Sequence, residues 1–358
     1  MSQPAAVIAA ERGSADEFTK KLADDNLQPL WHIMGRIAAH SPTRGGAPIH
    51  WQWPLLRGHA MKAAEVITTE EAERRVLVLE NPSFAGEGRA TNSLYAGVQI
   101  ILPGEVAPSH KHTASALRLV MEGTGAYTAV DGERVIMSPG DFIVTPSSTF
   151  HDHGNRADAP VLWLDGLDVF VVNLLNAPFG EEHPQSSQPI TQPDGNSLKR
   201  FGQGLLPYGF ARQEPRSPVF WWPYSRTCEA LAAMRATDPI DPSLGLRMDF
   251  VDPTSGRSPF KTMTASMSLF PAGFRGAAYR SVSGAVMTVV EGQGTVRVGD
   301  TEWTVGKNDV FVVPSWNWHS FSADEDLTIF SFSDEVLQRH LGFWRDERAS
   351  SPTQGVAT

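Results

Sequence analysis

Two β-rich stretches of this chain repeat one another, and that repeat limits the possible folds more than any other feature. "ILPGEVAPSHKHT" aligns with "LFPAGFRGAAYRS", pairing Pro103 with Pro271, and "GDFIVTPSSTFHDH" aligns with "NDVFVVPSWNWHSF", pairing Pro146 with Pro314. The separation is 168 residues at both prolines, and "VMEGTGAYTAV" resembles "VVEGQGTVRV" between them. A constant offset across separate motifs marks a duplicated domain, and this period is far longer than a solenoid repeat. Within the first copy, short β-branched runs such as "YAGVQIIL", "LRLVME", "AYTAV", "DFIVTP" and "VLWLDGLDVFVVN" are separated by Gly, Pro, Asp and Asn. That punctuation predicts an all-β sandwich or barrel in each copy.

The remaining segments frame the two copies. Residues 1–92 read as a helical region with a leading strand, in which Leu22, Leu30, Ile33, Met34 and Ile37 recur at helical spacing. The first β domain spans 93–176. Residues 177–260, rich in Pro, Gly, Gln and Ser at their start, read as a linker with a short helix at "CEALAAMRAT". The second β domain spans 261–335. Residues 336–358 read as an amphipathic helix and tail, with Leu337, Leu341, Phe343 and Trp344 free to cover a partner or the chain's own barrel.

Bulk composition excludes several functions. A chain of 358 residues with 41% hydrophobic and 20% charged residues can bury a substantial core. A formal charge of −10 without a long Lys/Arg run disfavours a nucleic-acid partner. The single cysteine, Cys228, rules out an intramolecular disulfide or a cysteine-based zinc site and fits a reducing compartment. No apolar run reaches the length needed to span a bilayer, and Glu11 and Arg12 interrupt the N-terminal apolar run too early for a signal peptide. The expectation is a cytoplasmic protein without membrane attachment.

Four of the eleven histidines lie in two His-x-His pairs, His110/His112 and His151/His153. On a strand, residues i and i+2 share a face, so His110 and His112 can both aim into a barrel with Lys111 turned away. A third imidazole from another strand, His151 or His153, would complete one face of a metal site and leave positions for substrate and oxygen. At the same offset, the second copy has Ala278, Arg280 and His319 in place of His110, His112 and His151. One histidine cannot hold a divalent metal, so the second copy is expected to serve structure or assembly, with His319 a core or interface residue.

The spacing Gly104, His110-x-His112, then Gly140, Pro146, His151 and Asn155, closely resembles the two cupin motifs. The resemblance implies a bicupin, two tandem jelly-roll barrels with N-terminal and C-terminal helices. Many cupins place a glutamate ligand four or five residues after the second histidine; here Ala116 and Leu117 occupy those positions. That leaves a three-histidine site of His110, His112 and His151.

The runs "RRVLVLENP", "SLYAG-QIILPGEVAP-HKHT-SALR" and "GAYTAVDGER…PGDFIVTPS-TFHDHGN" further resemble the gentisate 1,2-dioxygenase family, which includes salicylate and 1-hydroxy-2-naphthoate dioxygenases. The resemblance implies Fe(II) on the three histidines, a homotetramer, and insertion of O2 between the carboxyl-bearing and hydroxyl-bearing carbons of a 2-hydroxybenzoate. Gentisate would give maleylpyruvate. Salicylate, substituted salicylates and 1-hydroxy-2-naphthoate remain alternatives, and so does a non-catalytic bicupin that binds a metal or small molecule.

An ortho-hydroxylated aromatic carboxylate needs a fixed cation, and arginine's planar fork suits it. Arg118 returns to the ligand face by strand parity, and the family pattern places a substrate-binding arginine there. Arg74 matches a second family arginine, with a salt bridge as its equal alternative. Gln99 has the parity opposite to His110, but a bulge or loop at Pro103-Gly104 can reset it. Tyr95 and Gly97 share the Gln99 face; Tyr95 suits a 5-hydroxyl, and Gly97 and Val76 leave room for other substituents. His153 fits a role beside the metal as a hydrogen-bond donor or acid-base group. Asp165 fits a carboxylate that orients an imidazole or guanidinium, or a plain turn residue.

Overall fold

The computed structural model describes residues 17–211 and 216–349. The chain divides into two units, Met1–Thr43 and Arg44–Thr358. In the first, helices cover 17–24 and Leu30–Ile37, and the second helix exposes Leu30, Trp31, Met34 and Ile37 at helical spacing. Among the described residues no helix is long and apolar enough to cross a membrane.

The second unit contains the two β domains, each built from a six-stranded and a five-stranded sheet. In the first barrel, the six-stranded sheet runs in the order Trp221–Trp222, Phe142–Thr145, Ala116–Glu122, Val161–Leu167, Tyr95–Ile101, Val76–Val78. Its five-stranded sheet runs Gly180–Glu182, Val106–His112, His151–Asn155, Ala126–Val130, Glu133–Ile136. The second barrel repeats the plan around Thr264–Phe270, Ala285–Glu291, Val310–Val313, His319–Ser322 and Leu327–Ser333.

The strands Tyr95–Ile101, Ala116–Glu122 and Val161–Leu167 are buried along nearly their whole length, because both of their faces are covered. One face lines the first barrel. The other packs against the second barrel: a Cβ added at Gly166 would lie 2.6 Å from the Phe332 ring and 3.0 Å from Leu117 Cδ1. Phe142 continues that seam, with its ring centroid 4.4 Å from Phe250 and 5.5 Å from Phe330. The seam belongs to one apolar cluster that runs from the first barrel into the second.

The segment expected as a linker is woven into both barrels. Gly180–Glu182 pairs with the His110/His112 strand, Trp221–Trp222 with Phe142–Thr145, and Leu246–Asp249 with Thr264–Phe270. Gln188 fastens the intervening chain by donating from Nε2 to the Ala129 carbonyl and accepting from the Gly132 N–H. Edge strands of two to four residues carry little periodicity, so their pairing is decided by the barrels they border. The N-terminal side also crosses over. Ile49–Trp51 pairs with Val310–Val313 of the second barrel, whereas Val76–Val78 joins the first. The expected tail helix ends at His340; Gly342 turns the chain (φ +73°), and Asp346–Arg348 pairs with Tyr279–Ser281.

Candidate metal centre

His110 and His151 lie directly opposite each other on neighbouring antiparallel strands, with a bulge between Ala107 and His110. His112, two residues on, projects from the same face. The ligand-capable nitrogens of His110, His112 and His151 all lie within 4.8 Å of one another, and the ring centroids are 4.2 to 5.1 Å apart.

Each ring is oriented by its own backbone. His110 Nδ1 faces the Pro108 carbonyl at 3.3 Å, His112 Nδ1 that of Ala114 at 2.7 Å, and His151 Nδ1 that of Thr149 at 3.1 Å. A carbonyl can only accept, so Nδ1 of His112 and of His151 carries the hydrogen and their Nε2 atoms keep a lone pair for the shared centre, whereas His110 Nδ1 meets both a carbonyl and the donor Arg74 Nη2. Burial, reinforced by nearby arginine charge, pushes His110 down to about 3 and His112 and His151 below the ordinary imidazole value. Neutral, convergent imidazoles are what a divalent transition metal requires, and the donor set fits one. Ala116 and Leu117 offer no fourth ligand; both are buried apolar residues.

Two guanidiniums stand beside this centre. Arg118 lies opposite Asp165 on the adjacent strand, with Nε 3.3 Å from Oδ1, and its Nη1 donates to Thr145 Oγ1 at 2.6 Å. Trp163 Nε1 donates to the same Asp165 oxygen at 3.0 Å. Burial raises the Asp165 carboxyl to about 6 even though Arg118 opposes the rise. Arg74 Nη2 donates to the Pro108 carbonyl at 2.6 Å and packs against His110 Nδ1. Burial and the charge of Arg118 lower Arg74 to about 10. As to the salt-bridge reading of Arg74, no ion pair of this residue is found among the described residues.

Tyr95, Gly97 and Gln99 follow one another along one face of the neighbouring strand. Gly97 is directly opposite Asp165, and Gln99 is opposite both Trp163 and Val76. Opposed residues of an antiparallel pair share a face, which puts this row on the Arg118 and Asp165 side. The turn from Leu102 to Glu105, with Gly104 at φ +81°, separates this strand from the ligand strand, so simple parity does not carry across it. Gly97 is a close-packed position: a Cβ there would lie 2.6 Å from Val76 Cγ1 and 2.8 Å from the Tyr95 hydroxyl. Burial and the negative charge of Asp165 raise the Tyr95 hydroxyl.

His153 is fully buried, its ring centroid 5.9 Å from that of His151 and 5.5 Å from that of Trp163. Its Nδ1 lies 2.9 Å from Thr128 Oγ1, and among the described residues its Nε2 has no hydrogen-bond partner. Thr128, Met137, Thr145 and Trp163 are site residues that motif reading did not reach. Trp163 was within reach of it, being two residues before Asp165 on the same strand and so on the same face.

Among the described residues the second barrel has no equivalent centre. Across from His319 stands Tyr279, not Ala278. The second copy carries one more residue than the first between its proline and this strand, and a one-residue slip exchanges the two faces. The 168-residue offset therefore fails locally. Tyr279 and Ser281 occupy the two ligand positions, while Arg280 points to the other side, its guanidinium 4.4 Å above the rings of Trp316 and Trp318. His319 is a core residue, its Nδ1 3.3 Å from the Asn317 carbonyl and its ring edge-on to Tyr279 and Phe321. A cavity of about 50 Å³ remains inside this barrel, bordered by Arg247, Tyr279, His319 and Ser331.

Comparison with known proteins agrees with this architecture. The cupin domain family matches residues 97–170 and 267–332. The chain is 45% identical to gentisate 1,2-dioxygenase 1 of Aquipseudomonas alcaligenes over 332 residues, 93% of this chain and 96% of that one. It is 32% identical to a 1-hydroxy-2-naphthoate 1,2-dioxygenase of Nocardioides sp. (97% and 91% covered). Among solved structures, salicylate 1,2-dioxygenase from Pseudoaminobacter salicylatoxidans with gentisate superposes with a TM-score of 0.89 at 29% identity, covering 94% of each chain. With two cupin barrels, a single histidine triad in the first, and this similarity along nearly its whole length, the chain belongs to the gentisate 1,2-dioxygenase family of ring-cleaving bicupins.

Proposed function

We propose that the first barrel holds Fe(II) on His110, His112 and His151 and opens the ring of a 2-hydroxybenzoate with O2, gentisate to maleylpyruvate being the preferred reaction. The observation that carries this reading is the placement of two guanidiniums, the half-buried Arg74 and the buried Arg118, beside three convergent, neutral imidazoles. Bound there, Fe(II) supplies open coordination positions and the route by which ring electrons reach O2. The protein's own part is to place the substrate. Arg118, held by Asp165 and Thr145, meets the carboxylate, and Arg74 adds a second positive charge across the triad. Gln99, Gly97 and Tyr95 line the wall against which the ring lies, and His153 faces the ring hydroxyl.

Tyr95 favours gentisate over salicylate, because its hydroxyl adds to that wall a polar group able to meet a 5-hydroxyl. The tight Gly97–Val76 contact bears on the larger alternatives, since the space kept by Gly97 is what a substituted salicylate or hydroxynaphthoate would use. The family reading also carries a homotetramer, for which the exposed apolar side of Leu30–Ile37 is an available surface. The test is anaerobic loading with Fe(II) followed by oxygen uptake on gentisate, salicylate and 1-hydroxy-2-naphthoate. Uptake with gentisate fastest supports the proposal. No uptake with any of them at full iron occupancy overturns it and leaves a metal- or ligand-binding bicupin.

A further inference from the structure

We infer that Thr128 and Met137 fix the tautomer of His153, so that this histidine offers the site a hydrogen-bond acceptor and not a donor. Three side chains form the device, and all are closed to solvent: His153, Thr128 and Met137 are each 0% exposed. Thr128 and His153 are direct cross-strand partners, which fixes their approach, and Thr128 Oγ1 lies 2.9 Å from His153 Nδ1. The same oxygen lies 3.2 Å from Met137 Sδ.

The polarity follows from counting hydrogens. A thioether can only accept, so the contact between Thr128 and Met137 uses the single hydroxyl hydrogen. The hydrogen between Thr128 and His153 must then come from Nδ1, with Thr128 Oγ1 accepting. Nε2 is left bare, which agrees with its having no hydrogen-bond partner among the described residues. The opposite tautomer keeps one hydrogen bond in place of two and strands the sulfur, a loss of about 0.5–1.5 kcal/mol. Thr128 and Met137 are thus positioning residues that act through His153, and the bare Nε2 is the group the ring hydroxyl of a 2-hydroxybenzoate meets. The identity of that hydroxyl rests on the dioxygenase reading above; the tautomer does not.

Neutron diffraction from deuterium-exchanged crystals of the iron-loaded protein, kept anaerobic and without substrate, reads the tautomer whether or not the protein is active. The expected result is deuterium on His153 Nδ1 and none on Nε2. Deuterium on Nε2 overturns the inference even if oxygen uptake confirms the activity. Kinetics supply the second arm. Met137→Leu keeps shape and both partners but frees the hydroxyl to donate to Nδ1, so the hydrogen should move to Nε2 and the KM for gentisate should rise about tenfold. Thr128→Ser should stay within about twofold of wild type, and Thr128→Val should behave like Met137→Leu. Equal KM values for wild type, Met137→Leu and Thr128→Val overturn the role in substrate binding. If Met137→Leu fails to fold, the contrast between Thr128→Ser and Thr128→Val carries the same decision.

Discussion

Arg118 and Asp165 face each other across adjacent strands inside the first barrel, Nε 3.3 Å from Oδ1, and neither side chain is more than 7% exposed. Two buried charges at that distance hold each other in place, with Asp165 as the counter-ion to an arginine beside the histidine triad. Asp165→Asn keeps the shape and removes the charge, so Arg118 loses its anchor. The expected outcome is a rise of about tenfold in the KM for gentisate, a much smaller change in kcat, and unchanged iron per chain. Steady-state oxygen uptake with metal analysis checks it; a loss of iron equal to that of a ligand variant would assign Asp165 to the metal instead.

Gly97 and Val76 share one small space. Gly97→Ala puts a methyl 2.6 Å from Val76 Cγ1 and 2.8 Å from the Tyr95 hydroxyl, so the wall must shift. The expected result is a fall of about tenfold in kcat/KM for gentisate, partly restored by Val76→Ala in the same chain. A double-mutant cycle should show coupling of about 0.5–3 kcal/mol, and strict additivity would contradict the shared space.

The seam between barrels has a comparable close contact. A Cβ at Gly166 would meet the Phe332 ring at 2.6 Å, so Gly166→Ala is expected to cost about 1–3 kcal/mol of stability through overpacking. Phe332→Leu should relieve part of that loss. Urea unfolding of the two single variants and the double variant measures it.

His319 gives a pH dependence with a definite sign. Burial lowers it to about 4, whereas an unfolded histidine titrates near 6.5. Above about pH 6.5 the ring is neutral in both states and has no effect on the balance. As pH falls below that, the unfolded chain binds a proton that the folded one refuses, and stability drops until about pH 4. Between pH 6.5 and 5 the expected loss from this residue is about 2 kcal/mol. His319→Gln should lose less stability over that interval than wild type, as read by urea unfolding at the two pH values.

The parts of this site that were legible in the sequence are those with short-range rules. His110 and His112 share a face because strands alternate, and the opposing His151 came with a motif of fixed spacing. Gln99 was ambiguous because parity is lost across the Leu102–Glu105 turn. The counterparts of the ligands in the second barrel were misassigned to Ala278 and Arg280, since one inserted residue is invisible to a constant offset yet exchanges the faces of a strand. Thr128 and Met137 carry no motif at all, and their link to His153 exists only once three strands are side by side. The same holds for the edge strands Gly180–Glu182 and Trp221–Trp222, whose register is set by the barrel and not by their own periodicity.

On the proposed function, one metal centre, in the first barrel, performs the chemistry. Iron per chain and gentisate-dependent oxygen uptake, measured side by side in wild type, His110→Ala and His319→Ala, test it most directly. One iron per chain and full uptake are expected in wild type, neither in His110→Ala, and both near wild type in His319→Ala. Equal loss of iron and uptake in the two variants would contradict it.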